Sequence, residues 1–201
     1  MTDHVITHPD NHEPVEFTAK ELGWLPWLNP VDEADLTDRH WEGLVDRSRA
    51  KSDYFRLLAH DPEVLGARTR TDKDIFYNPK GGLPRAEREL AAAAVSRVNG
   101  CIFCASVHAR FAIHHYKRDR EVTVLLEEGV PSPLTGRAGA VVDAAARLAR
   151  TPVAFDAESI TKLSQVGLQE DEVVDLILAS SFFNWANRLM LSLGEPTRAA
   201  A

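Results

Sequence analysis

The chain has 201 residues, of which 44% are hydrophobic and 26% charged, with a formal net charge of −7. That length holds one domain with a proper core, and the composition excludes a disordered or fibrous chain. The 30 Asp and Glu against 23 Lys and Arg repel phosphate backbones, which argues against general nucleic-acid binding, and no stretch approaches the ~20 apolar residues of a membrane span.

Residues 1–35 read as an irregular N-terminal arm, without the apolar core of a signal segment, so the expected compartment is the cytoplasm. His4, His8 and His12 fall at helical spacing, but Pro9 and Pro14 oppose a helix, and a loose polar tail is expected. Trp24, Leu25, Trp27 and Leu28 form an apolar cluster that should lie across the domain or a partner subunit. Residues 36–195 read as an all-α domain and 196–201 as a C-terminal tail.

Within that domain the pattern predicts a helix from about Thr37 to Ser48 and another around Tyr54–Leu58. Asp61-Pro62 then opens a third as cap and first-turn proline. Asn78 to Gly82 is a loop, and a helix from Pro84 through Val98 stops at Asn99-Gly100. Further helices are predicted over Cys101–Tyr116, Glu121–Glu128, from Pro133 to near Arg150, Asp156–Val166 and Glu170–Leu193. No segment alternates with period two, so the fold class is all-α, a compact bundle around a central helix hairpin.

The only two cysteines are Cys101 and Cys104. A disulfide between them closes too small a loop to be a useful staple, so a redox or metal role is the better reading. On a helix, positions 101, 104 and 108 span an arc of ~60°, which turns both thiols and His108 the same way. The thiols sit in the first helical turn, where free N–H groups favour a thiolate. If the chain folds back at Asn99-Gly100, Glu89 and His108 come to ~5 Å in axial offset. A carboxylate that orients a histidine beside a thiol activates a nucleophile. Glu87 is a rival for that role, and helical projection does not choose between them.

Glu89-Leu90, Ala94-Val95-Ser96, Asn99-Gly100-Cys101, Cys104 and His108 together resemble the AhpD-like alkylhydroperoxidase family of the carboxymuconolactone decarboxylase superfamily. The family pattern is Glu, eleven residues, Cys, two, Cys, three, His, and every spacing is met. The close match covers residues 83–116. A looser one extends over 36–195, where Phe182-Phe183-Asn184 and Asn187-Arg188 look like the peroxidase-related branch.

The resemblance implies a thiol peroxidase for alkyl hydroperoxides or hydrogen peroxide, fed by a dithiol or protein electron donor. It implies Cys104 as peroxidatic thiol, Cys101 as resolving thiol, and His108 as proton relay held by Glu89, which it favours over Glu87. A homo-oligomer without cofactor or resident metal is expected. The chain departs from well-studied members at Phe103, where they place a second histidine, so one relay member is absent.

Rival readings use the same residues. Zinc would suit two thiols, His108 and Glu89, but structural zinc sites usually draw ligands from two separated knuckles. Haem attachment needs a histidine where Ala105 stands, and a thioredoxin-like centre needs strands. Decarboxylation, as in the superfamily's namesake, fits the cysteine pair less well. A redox-sensing or disulfide-exchange protein is the alternative from another class. His115 is expected to be packed or interfacial. Asn187 and Arg188 are expected to line a pocket, to bind a partner or to make helix-surface bonds, and Phe103 and Phe111 to be core or an apolar pocket wall.

Overall fold

The computed structural model describes residues 5–80, 82–117 and 119–198. In chain order the elements are β1 (Leu22–Pro26), α1 (Asp38–Leu44), α2 (Asp53–Leu58), α3 (Pro62–Tyr77) and α4 (Arg85–Asn99). There follow α5 (Ile102–Tyr116), α6 (Asp119–Glu128), α7 (Gly136–Ala149), α8 (Ala157–Gln165), α9 (Glu170–Leu193) and β2 (Gly194–Arg198). The helical class is as expected, and no helix among the described residues is long and apolar enough to cross a membrane.

Local signals explain most helix starts. Asp61 accepts a hydrogen bond from the Val64 N–H, and Pro62 supplies the first turn of α3. Asp156 caps α8 in the same way through the Ser159 N–H. The helix expected over Thr37–Ser48 is instead divided: α1 stops at Leu44 because Val45 adopts φ 65°, and a short 3₁₀ turn follows over Arg47–Lys51.

The centre of the molecule is α4, with α5, α7 and α9 packed around it. Ala91, Ala92, Ala93 and Ala94 are wholly buried, and their small side chains let three helices approach one axis closely. Leu90, Leu125, Leu163 and Leu176 fill the space between. Each such leucine contributes roughly 1.5–3 kcal/mol through removal from water.

The two strands correct the expectation that strands are absent, and they join residues 22–26 to residues 194–198. β1 and β2 form an antiparallel ribbon in which Gly23 faces Thr197 and Leu25 faces Glu195. Residues 22–26 of the expected arm and 196–198 of the expected tail are therefore paired structure. Gly-Glu-Pro-Thr-Arg has neither alternation nor β-branched enrichment, so its strand form comes from the distant partner.

The segment before β1 is strapped down as well. Ile6 N–H donates to Trp27 O at 2.8 Å, and the His8 ring donates through Nε2 to Pro26 O at 2.9 Å. Asn11 donates to Glu195 at 2.8 Å, and the Trp27 indole N–H donates to the other Glu195 oxygen at 2.9 Å. His8 is thus a tie in a strap where a loose tail was expected, while His4 lies outside the described residues.

One loop sets the start of α4. Gly82 has φ 72°, and a Cβ there would lie 1.8 Å from Asp175 Oδ2. That oxygen accepts the Leu83 N–H at 3.0 Å and pairs with the Arg88 guanidinium at 3.0 Å. The loop is pinned to α9, which fixes where the first turns of α4 present Glu87 and Glu89.

Candidate active site

Gly100, with φ 78°, ends α4 in the left-handed conformation, and the next residue, Cys101, is already the N-cap of α5. Cys101 N–H donates to Ser96 O at 2.9 Å, and Ala105 N–H returns to Cys101 O at 3.0 Å. So tight a turn lays α5 along α4 and brings residues nineteen apart in sequence into contact. Glu89 Oε2 and His108 Nδ1 are 2.6 Å apart, both buried. A carboxylate only accepts, so Nδ1–H donates and the neutral ring keeps its lone pair at Nε2. The other Glu89 oxygen is held by Arg85 at 3.0 Å.

Glu87 points elsewhere. It accepts both bonds from Arg137 Nε, at 2.8 and 3.0 Å, and one from the Tyr116 hydroxyl at 3.2 Å. The two glutamates that projection left open are thus separated by their partners. The His108 ring lies against Phe183 at 3.9 Å and Phe76 at 5.4 Å between centroids, so aromatic packing fixes its orientation.

Both thiols are free and buried, Cys101 at 2% and Cys104 at 5% exposure. The Cys104 thiol donates toward Cys101 and lowers the Cys101 pKa, with burial opposing and the Cys104 N–H adding to the effect. The same hydrogen bond, then burial, raises the Cys104 pKa well above an ordinary thiol. Electrostatics therefore places the first negative charge on Cys101 and leaves the shared proton on Cys104.

Asn187, wholly buried, donates to Ser96 Oγ at 3.0 Å, accepts from Asn99 Nδ2 at 3.1 Å, and also favours the Cys104 thiolate. Arg188, its neighbour on α9, faces solvent.

A cavity of about 640 Å³ opens onto Cys104, His108 and Glu89. Cys101 is not on its wall. Access and acidity thus select different thiols. Trp24, Tyr54, Phe55, Phe76, Phe103, Phe111 and Phe183 give the wall an aromatic part, beside charged residues that include Arg49, Asp53, Arg68 and Asp72. Phe111 is 38% exposed, so the wall reading of Phe103 and Phe111 fits better than the core reading. Trp24 meets Tyr54 edge-on at 5.5 Å, which shows what the Trp24 cluster covers.

Tyr54 and Arg68 also stand on the wall, Tyr54 expected only as a helix residue and Arg68 not singled out from the sequence. A signal was present: Arg68 and Asp72 lie at i, i+4 on the stripe that holds Leu65, Thr69 and Phe76, an odd place for charge. His115 lines a different groove of about 920 Å³ with Glu87, Tyr116 and Arg137, and its pKa is lowered by partial burial and then by Arg85. Among the described residues no three His, Cys, Asp or Glu side chains are grouped as a metal ion would need.

The model of the carboxymuconolactone decarboxylase family matches residues 62–147. Among solved structures, the AhpD-core peroxidase-related protein of Ralstonia eutropha JMP134 is similar at 20% identity and TM-score 0.67, over 93% of this chain and 92% of that one. The peroxidase-related protein of Silicibacter sp. TM1040 is similar at 19% identity and TM-score 0.66, with the same coverages. The debrominase Bmp8 is similar at 15% identity and TM-score 0.66, over 82% of this chain and 88% of that one. These likenesses establish the fold. No curated protein matches the sequence.

Proposed function

We propose that this chain, which carries a carboxymuconolactone decarboxylase family domain in an AhpD-like fold, is a thiol peroxidase for organic hydroperoxides or hydrogen peroxide. The observation that carries the reading is the buried Glu89–His108 pair on the cavity wall that also presents Cys104. His108 Nε2 takes the Cys104 proton while Glu89 steadies the imidazolium that results. Cys104 sulfur attacks the terminal peroxide oxygen, the O–O bond breaks, and the other oxygen leaves with the electron pair and that proton. Cys104 is then a sulfenic acid and the product an alcohol or water. Cys101 sulfur attacks Cys104 sulfur, expels water, and closes the disulfide. A dithiol donor restores both thiols by exchange, so one peroxide consumes one dithiol.

Cys104 keeps the peroxidatic role in this scheme because it lines the cavity and Cys101 does not. The acidity order and Phe103 in place of a relay histidine support a second reading, disulfide exchange or redox sensing with slow peroxide turnover. Turnover decides between them. Cumene hydroperoxide and hydrogen peroxide are offered with a lipoyl protein, thioredoxin or small dithiols as donor. Many turnovers with at least one donor are expected; one oxidation per chain followed by arrest would select the second reading.

A further inference from the structure

Tyr54 on α2 and Arg68 on α3 stand on the wall of the cavity that holds Cys104, and both are more than nine-tenths buried. Among the described residues, the Tyr54 hydroxyl and the Arg68 Nε and Nη1 atoms have no partner of good hydrogen-bond geometry, although Arg68 stands close enough to Tyr54 to oppose the rise in its pKa. Arg68 Nη1 forms an ion pair with Asp72 Oδ2 at 3.5 Å without a hydrogen bond, and Arg49 shares that carboxylate at 3.3 Å, so two guanidinium groups meet one carboxylate. Arg68 Cζ also stands over the Phe55 and Phe182 rings, at 5.4 and 5.2 Å from their centroids. Buried donors left unpaired beside a reactive thiol are costly unless a ligand satisfies them. The guanidinium only donates and the Tyr54 hydroxyl can donate as well as accept, so an acceptor satisfies both, and beside the cation a negative one fits best.

We infer that Arg68 and Tyr54 form a subsite for an anionic oxygen next to Cys104, which in the proposed peroxide reaction receives the departing oxygen. This rests on the peroxidase reading only for the identity of that oxygen. As the Cys104–O bond forms and the O–O bond breaks, negative charge moves from sulfur to the leaving oxygen inside the cavity. Preformed donors at that place act on the transition state more than on the neutral hydroperoxide. Burial raises the Tyr54 pKa, so its hydroxyl stays protonated and can donate. The proton that ends on the leaving oxygen is the one His108 removed from Cys104. The aromatic part of the wall suits a hydroperoxide with a compact apolar body, its oxygens toward Cys104.

Two readouts on the full chain test the subsite. The first is protection by benzoate, an apolar body with an anionic end, of Cys104 against iodoacetamide, followed by mass spectrometry. Wild type should be protected, and Arg68→Met should need at least about tenfold more benzoate. The second is the rate of Cys104 oxidation by cumene hydroperoxide divided by its rate of alkylation by iodoacetamide, whose iodide leaves without a protein donor. That ratio should fall ~10²-fold in Arg68→Met, less in Tyr54→Phe, and recover in part in Arg68→Lys.

No protection of the wild type, or equal protection of Arg68→Met, overturns the subsite. An unchanged ratio, with both rates falling together, means that Arg68 acts on the thiol alone and overturns it too. If wild type resists every hydroperoxide while benzoate protection still depends on Arg68, the peroxidase reading fails and the subsite stands. Circular dichroism and the Arg68→Lys variant separate these results from a folding defect.

Discussion

Glu87 and Glu89 stand two positions apart on one helix, yet one meets Arg137 and the other His108. Glu89→Gln keeps the shape and removes the charge that steadies His108. Peroxide reactivity should fall ~10²–10⁴-fold with the fold intact, read by stopped-flow oxidation of Cys104. Glu87→Gln should leave reactivity near wild type and lower stability by about 1–2 kcal/mol, read from the denaturation midpoint. The reverse order would place the activating carboxylate at Glu87.

The thiols make a second test at this scale. Because the Cys101 pKa is lowered, its thiolate should be present below the ordinary thiol range, and thiolate absorbance in the ultraviolet should begin to rise at a lower pH than for an ordinary thiol. Cys104→Ala removes the donor and should move the Cys101 midpoint upward toward ~8.5. Peroxide should follow access instead. Cys101→Ser should leave one sulfenic acid at Cys104 for a dimedone probe, and Cys104→Ser should leave none. A sulfenate at Cys101 would show that acidity governs the peroxide reaction.

At the scale of elements, the β1–β2 ribbon borders the cavity, since Trp24 in β1 lies on the cavity wall. Glu195 ties it together through Trp27 and Asn11, and the hydrogen bond from Trp27 is the first cause of its lowered pKa. A carboxyl whose folded pKa is lowered stabilises above its unfolded value of ~4.3 and loses that contribution as pH falls through the folded value. Glu195→Gln should therefore cost roughly 0.5–1 kcal/mol near neutrality, and the gap from wild type should close in acid. Thermal melts of both proteins from neutral to acid pH measure this; a constant gap would mean that the carboxylate charge contributes nothing to the clasp.

Across the whole molecule, α9 serves two sides. One side buries Phe182, Phe183, Ala186 and Asn187 against α4 and the cavity. The other presents Val174, Leu178 and Trp185, which are 54%, 49% and 40% exposed and share an arc of ~40° at 100° per residue. A second copy of the chain is the proposed cover for this face, in keeping with a homo-oligomer. Sedimentation should show wild type above monomer mass and Leu178→Glu shifted toward monomer. A monomeric wild type at micromolar concentration would sink the proposal.

Helix content was legible because it is written in neighbouring residues: caps such as Asp61-Pro62, the Gly100 stop, and apolar positions that repeat along α9. The placing of His108 one turn after Cys104 was legible for the same reason, whereas Cys101, expected on the same helix face, is the cap before α5 and lies off the cavity wall. Glu89 was within reach only through family spacing, because choosing it over Glu87 depends on where Arg137 and Tyr116 arrive from α7 and α5. The ribbon, the strap at His8 and the donors at Tyr54 and Arg68 were decided by the tertiary structure. Each depends on groups far apart in the chain, such as Trp27 with Glu195 or Tyr54 with Cys104. Local periodicity carries no information about such pairs, since burial and charge pairing arise only when the elements pack.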